Sequence, residues 1–369
     1  MRPGRFLPII VVCLALAACG GSTDESAPEG AASEVPAPAG QALADVVAAL
    51  DGLSGEARTE RLLELVEAEG STLNLYTSMS PALLEPVVEA FEDTYDVDAA
   101  VYRANSGTVL QRLVEESKAG FRGADVVETS GLEMINLADA GVLVPYESPA
   151  RAGLVDEALE DLWTASRFNT FVITWNTDLV PQGEQPTSWE ELADPRWKGN
   201  LAIEAGDVDW YKTLWEYWVG SGKEPEEADR LFEQIAGNAL VIRGHTVLGQ
   251  LLAAGEFAVG VNYFHTNELA AVEGAPVTAD PLVEPTIGRA NGVGLIEGVT
   301  HPATAILFID WILSDGQIVL DENETDPVRE DIALPLGLAV DLESLAAEQE
   351  EWSERYDRLL QLGAEAEGS

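Results

Sequence analysis

A chain of 369 residues that is 46% hydrophobic can bury the cores of two ordinary lobes, and its formal charge of −45 excludes nucleic acid, whose phosphates need Lys and Arg partners. Its two cysteines, Cys13 and Cys19, both lie near the start, so the body has no disulfide, no thiol nucleophile and no cysteine-built zinc site. The acids are spread along the whole chain, which reads as general surface acidity and not as a field focused on one site.

Arg2 and Arg5 give a positive start, and Phe6 to Ala18 is an almost unbroken apolar run. It is shorter than the roughly 20 apolar residues a membrane-spanning helix needs, and small residues close it, as in a secretory signal. Leu16-Ala17-Ala18-Cys19 looks like a bacterial lipobox, in which the cysteine is lipidated and becomes the new N-terminus. The alternative is an ordinary signal peptide that contains a cysteine. Residues 19–40 then run through Gly, Ser, Ala, Pro and Glu, a composition suited to a disordered tether.

Residues 41–70 carry apolar positions at helical spacing, broken at Gly52 and Gly55, and predict two short amphipathic helices. Thr72 to Tyr76 reads as a buried strand, followed by a helix that Ser80 caps and Pro81 opens. Strands at Val97 to Tyr102 and Ala124 to Glu128, alternating with helices at Thr108 to Ala119 and Leu132 to Ala140, predict a parallel sheet with crossover helices. Further strands are expected from Phe168 to Trp175, Leu201 to Glu204, Ala239 to Arg243, Ala258 to Tyr263 and Gly292 to Ile296. Helices are expected from Thr187, over Trp210 to Val219, His245 to Ala254 and Ala303 to Leu313, and in the acidic tail Leu342 to Leu362.

LNLYTSMSPALLEPVVEAFE, ADVVETSGLEMINLADAGVL, TSWEELADPRWKGNLAIE, LLAAGEFAVGVNYFH and HPATAILFIDWILSDGQ, in that order, resemble a type II solute-binding protein of an ABC importer, near the ferric-ion-binding branch. The resemblance covers roughly residues 70 to 320. It implies an α/β fold of two lobes with a ligand cleft between them: lobe 1 at 71–167, lobe 2 at 168–287, a return to lobe 1 at 288–315, and a helical region at 316–369. It also implies a monomer tethered to the membrane outside the cytoplasm, passing its solute to a permease with its ATPase. Ligand would sit beyond the strands' carboxyl ends, near helix N-termini, and be trapped by hinge closure.

Three strand–helix turns offer hydroxyls and amides to that cleft: Thr77, Ser78 and Ser80; Asn105 and Ser106; and Ser130. Helix capping is the plainer role for each. In the second lobe Asp209 and Trp210 stand where a helix begins, Trp210 able to stack on a ligand, and His245 with Thr246 follows another strand. Arg103 and Arg289 are expected to pair with nearby acids, and His301 to be structural. The iron binders of the family use two adjacent tyrosines after the strand that here ends VNYFH; this chain has Tyr263 but Phe264. The family's other metal ligands align near Ser80 and Ser130, so Tyr263 and His265 are the metal candidates, with Glu128 or Asp209 as the available carboxylate. The expected ligand is therefore ferric iron or its chelate, or a small polar or anionic organic solute. No G-x-S-x-G elbow or nucleotide loop points to catalysis. A solute sensor feeding a membrane receptor is the competing role.

Overall fold

The computed structural model describes residues 39–367 apart from 324, 334 and 335. The expected signal peptide, Cys19 and almost all of the expected tether lie outside the described residues. Two helices, α1 (Ala39–Leu50) and α2 (Gly55–Glu69), come first, α1 starting just inside the stretch read as tether. Then follow β1 (Thr72–Thr77), α3 (Pro81–Tyr95), β2 (Asp98–Arg103), α4 (Ser106–Ala119), β3 (Val126–Ser130), α5 (Gly131–Asp139) and β4 (Leu143–Val144). The chain continues through β5 (Thr164–Asn176), β6 (Leu201–Glu204), α6 (Val208–Gly220), α7 (Pro225–Asn238), β7 (Ala239–Ile242), α8 (His245–Ala253), β8 (Val259–Tyr263), α9 (Phe264–Val272) and β9 (Val277–Thr278). It closes with β10 (Ile287–Ile296), α10 (Pro302–Ile312), α11 (Gly316–Glu322), β11 (Asp326–Pro327), β12 (Leu338–Ala339), α12 (Leu342–Ala347) and α13 (Gln349–Glu367).

The main sheet runs β2-β1-β3-β10-β5-β8-β6-β7. β1 is parallel to β2 and β3, and β6 is parallel to β7 and β8. Between these two parallel sets stand β10 and β5, antiparallel to each other and to their outer neighbours. The chain thus leaves one half through β5 and returns through β10, which makes the molecule a two-lobed α/β protein with crossover strands at its centre.

Local chemistry explains the boundaries. Ser80 Oγ accepts from the Leu83 N–H and Asn105 Oδ1 from Thr108, capping α3 and α4 at the expected turns. β3 runs to Ser130, which is also the residue before α5, so strand passes into helix there without an intervening turn. The helix expected from Thr187 is a single 3₁₀ segment, Trp189–Ala193, because Pro195 follows too soon for an α-helix to continue. β5 begins at Thr164, earlier than expected; α7 and α9 are additional to the expected elements, and α11 falls in the region expected to be helical. Aromatic side chains fill the core behind α6, where Trp210 packs on Trp189 and Phe232, and behind α10, where Phe308 and Trp311 meet Phe91. α10 is apolar and buried on almost every side, Asp310 being its one charged, half-buried residue. Among the described residues, no single helix is long and apolar enough to cross a membrane.

Candidate functional site

The register of β5 against β10 decides which side chains share a face. Arg289 stands opposite Asn169, and Asn291 opposite Arg167. Directly paired residues project to the same side, as do alternate residues of one strand. Two Arg-x-Asn triplets therefore interlock as a square, guanidiniums on one diagonal and amides on the other. Along the same face Asn291 also meets Ser130 of β3, and Phe171 of β5 meets Tyr263 of β8. Arg167, Asn169 and Asn291 are buried, and the Arg289 side chain is 21% exposed.

Part of this square is already paired. Arg167 Nη1 donates to Asn169 Oδ1 at 2.9 Å, and its Nη2 lies 3.3 Å from Glu128 Oε1. Arg289 Nη1 donates to Asp209 Oδ2 at 3.1 Å, while its guanidinium carbon sits 5.1 Å from the centre of the Tyr263 ring. Yet Arg167 Nε, Arg289 Nε, Asn291 Nδ2 and His265 Nδ1 are all shut off from solvent and have no hydrogen-bond partner among the described residues. An unpaired buried donor costs about 1–3 kcal/mol. Four such atoms gather on this face of the sheet and beside it.

A second cluster adjoins the square. Glu204 ends β6, Asp207 precedes α6, and His245 opens α8, so two strand–helix turns meet at the carboxyl ends of the parallel strands β6 and β7. His245 Nε2 lies 3.0 Å from Asp207 Oδ1, and its Nδ1 lies 3.0 Å from Asn262 Oδ1. The imidazole stacks on Tyr263 with centroids 3.6 Å apart, and Tyr263 stacks on His265 at 5.6 Å. Burial drives the Tyr263 phenol well above its ordinary pKa; Arg289 opposes this, and Asp207 and Asp209 reinforce it. Burial, then the positive fields of Arg167, His245 and Arg289, pulls His265 down to about 3, leaving a neutral ring. For His245 burial also works downward, but the charge and hydrogen bond of Asp207 outweigh it, and the pKa is raised. Arg289 is raised too, because Tyr263, Asp209, Asp207 and Glu133 outweigh its burial.

The residues expected from sequence divide by location. Tyr263, His265, His245 and Asp209 come together around Arg289. Thr77 is buried and donates to Glu128 Oε2 at 2.8 Å; Ser78 accepts from Thr129 Oγ1 at 3.1 Å; Ser130 donates to Glu133. Ser80 and Asn105 act as caps and are exposed, as is Thr246, while Ser106 opens α4 half-buried. Trp210 is corrected: its ring is fully buried among Trp189 and Phe232, with no face left to stack on a ligand. An aromatic at a helix start was drawn into the core because α7 packs over it. Arg289 does pair with an acid, as expected, but keeps Nε free. Arg167, Asn169, Asn291 and Asn262 were missed. A signal existed: Arg167-Phe168-Asn169 and Arg289-Ala290-Asn291 repeat one polar pattern in two strands. A groove of ≈ 630 Å³ beside α1 shares no residue with this face.

Residues 76–318 match the family model described as bacterial extracellular solute-binding protein. A Haemophilus influenzae protein is 26% identical over 257 residues, covering 66% of this chain and 74% of the relative. Iron-bound HitA from Pseudomonas aeruginosa has a similar fold, with TM-score 0.62 and 19% identity over 80% of this chain and 99% of that one. The periplasmic binding protein AfuA from Actinobacillus pleuropneumoniae, solved with fructose-6-phosphate, gives TM-score 0.60 and 23% identity over 79% and 96%. At such identities the structural likeness speaks for the fold.

Proposed function

The chain belongs to the bacterial extracellular solute-binding proteins, and from that membership we propose that it captures a small anionic, oxygen-rich solute between its lobes and delivers it to an ABC permease with its ATPase. It is a binding protein and not an enzyme. The observation that carries the ligand class is the square of Arg167, Asn169, Arg289 and Asn291, with both Nε atoms and the Asn291 amide nitrogen buried and unpaired. Carboxylates and phosphate esters present the acceptors that a guanidinium fork fits. HitA carries iron and AfuA a sugar phosphate; the donors here favour the second kind of cargo. Phe264 follows Tyr263 where a second phenol would stand, and Arg289 holds a positive charge over the Tyr263 ring. Ferric iron would therefore enter as an anionic chelate, not as a bare ion. Lipid on Cys19 would keep the monomeric binder beside its permease.

A thermal-shift and calorimetric series over citrate, ferric citrate, fructose-6-phosphate, a neutral sugar and a polyamine tests the reading. A ligand that binds the native state alone stabilises it by about 2.7 kcal/mol at a hundredfold excess over Kd, so an anion should raise Tm. Arg289→Gln should weaken that binding about a hundredfold, since a buried charged hydrogen bond is lost. Binding of only the neutral sugar, the polyamine or uncomplexed ferric ion would sink the proposal.

A further inference from the structure

We infer that Glu204, Asp207 and His245 form a site for a divalent transition-metal cation, distinct from the guanidinium square. One donor atom from each of the three lies within 4.8 Å of the others, close enough for a single ion after a small side-chain rotation. One imidazole with two carboxylates suits Zn²⁺ or Mn²⁺, and three protein donors leave a position for water.

The backbone holds these donors in place. Glu204 Oε1 accepts from the Gly244 N–H at 2.8 Å and its other oxygen accepts from Gly206, which fixes the carboxylate across two turns. Asn262 is fully buried, and its Nδ2 donates to the His245 carbonyl at 3.4 Å. That bond orients the amide so that Oδ1 faces His245 Nδ1, which must then carry a proton whether or not Nε2 does. Nε2 is left to bind a metal, the usual second-sphere arrangement of a ligating histidine. Tyr263, stacked on the opposite side at 3.6 Å, keeps the ring from turning.

An independent observation points to a ligand. Asp207 is 2% exposed, and while its Oδ1 meets His245, its Oδ2 has no hydrogen-bond partner among the described residues. A buried carboxylate oxygen without a donor is costly, and a cation bridging it to Glu204 removes that cost. Metal binding here requires only that Nε2 give up its proton to solvent and Asp207 turn from that proton to the ion.

The test uses the purified, chelator-stripped protein titrated with Zn²⁺ in about 0.15 M salt, where diffuse attraction to surface acids is screened. One ion per chain should bind, and X-ray absorption should report one imidazole among oxygen donors. Glu204→Gln keeps the Gly244 bond and the fold, and should weaken uptake about tenfold to a hundredfold, as should Asp207→Asn. Glu350→Gln with Glu351→Gln, on the exposed face of α13, should leave it unchanged. No uptake, uptake insensitive to Glu204→Gln and Asp207→Asn, or equal weakening by the α13 pair would each overturn the site. Anion binding without metal binding would remove this site alone and leave the solute proposal standing.

Discussion

Asp326 shows how one buried side chain writes itself into the pH dependence of the fold. It lies in β11 opposite Phe168, its Oδ2 accepts from the Thr170 N–H at 3.0 Å, and Oδ1 has no partner among the described residues. Burial raises its pKa to about 7 against an ordinary 3.8, with Thr170 and Arg167 pulling the other way. The folded state thus binds this proton more tightly than the unfolded one. Stability conferred by the neutral carboxyl is full below the ordinary pKa, declines as pH rises towards 7, and is flat beyond. Asp326→Asn should raise Tm more at pH 8 than at pH 5, where the loss has only begun. Equal Tm differences at both pH values, read by differential scanning fluorimetry, would refute this. Such a residue could not be recognised in the sequence, because a lone Asp beside a Pro reads as a turn. The Arg-x-Asn repeats were more legible. They were passed over because in so acidic a chain any arginine appears to have a partner.

The start of α10 shows what a helix terminus demands when it is buried. Glu69, the last residue of α2, accepts from the Ala303 and Thr304 N–H groups and from Thr304 Oγ1 at 2.8 Å. Asp125, fully buried before β3, accepts from the Thr300 and His301 N–H groups and from the Asn74 backbone, and lies 2.9 Å from His301 Nδ1. Two carboxylates therefore supply the acceptors that the first turn of α10 lacks, and one favours the positive end of the helix dipole. Glu69→Ala should lower stability by about 1–3 kcal/mol in a urea melt, because charge-assisted bonds to buried donors are lost together. A change within experimental error would mean that water replaces the carboxylate at no cost. Sequence placed this helix through His301-Pro302 and read His301 as structural, and periodicity made most elements legible in the same way. α9 escaped because it follows β8 without a turn, its apolar residues showing no strong helical face. The 3₁₀ segment at Trp189 escaped because capping signals look alike for both kinds of helix.

For the molecule as a whole, the charge of −45 sets a global repulsion that local pairs do not cancel. Added sodium chloride should raise Tm progressively up to the point where the Debye length falls to about 3 Å near 1 M. A Tm indifferent to salt would show that the acids are already neutralised by their neighbours. The alternation of strands and helices, the crossover halves and the family were all readable from phrases in the right order. The ligand face was not, since it depends on the register between β5 and β10, and register lives in pairing and not in local pattern.

That register has a consequence for how the protein comes to exist. β10 lies between β3 and β5, so neither has its inner neighbour until residues 287–296 have been synthesised. β1, β2 and β3 can pair among themselves beforehand, but the seam between the two halves closes only with β10, over a long stretch of intervening chain. The centre of the sheet therefore cannot be completed until the final quarter of the chain is available.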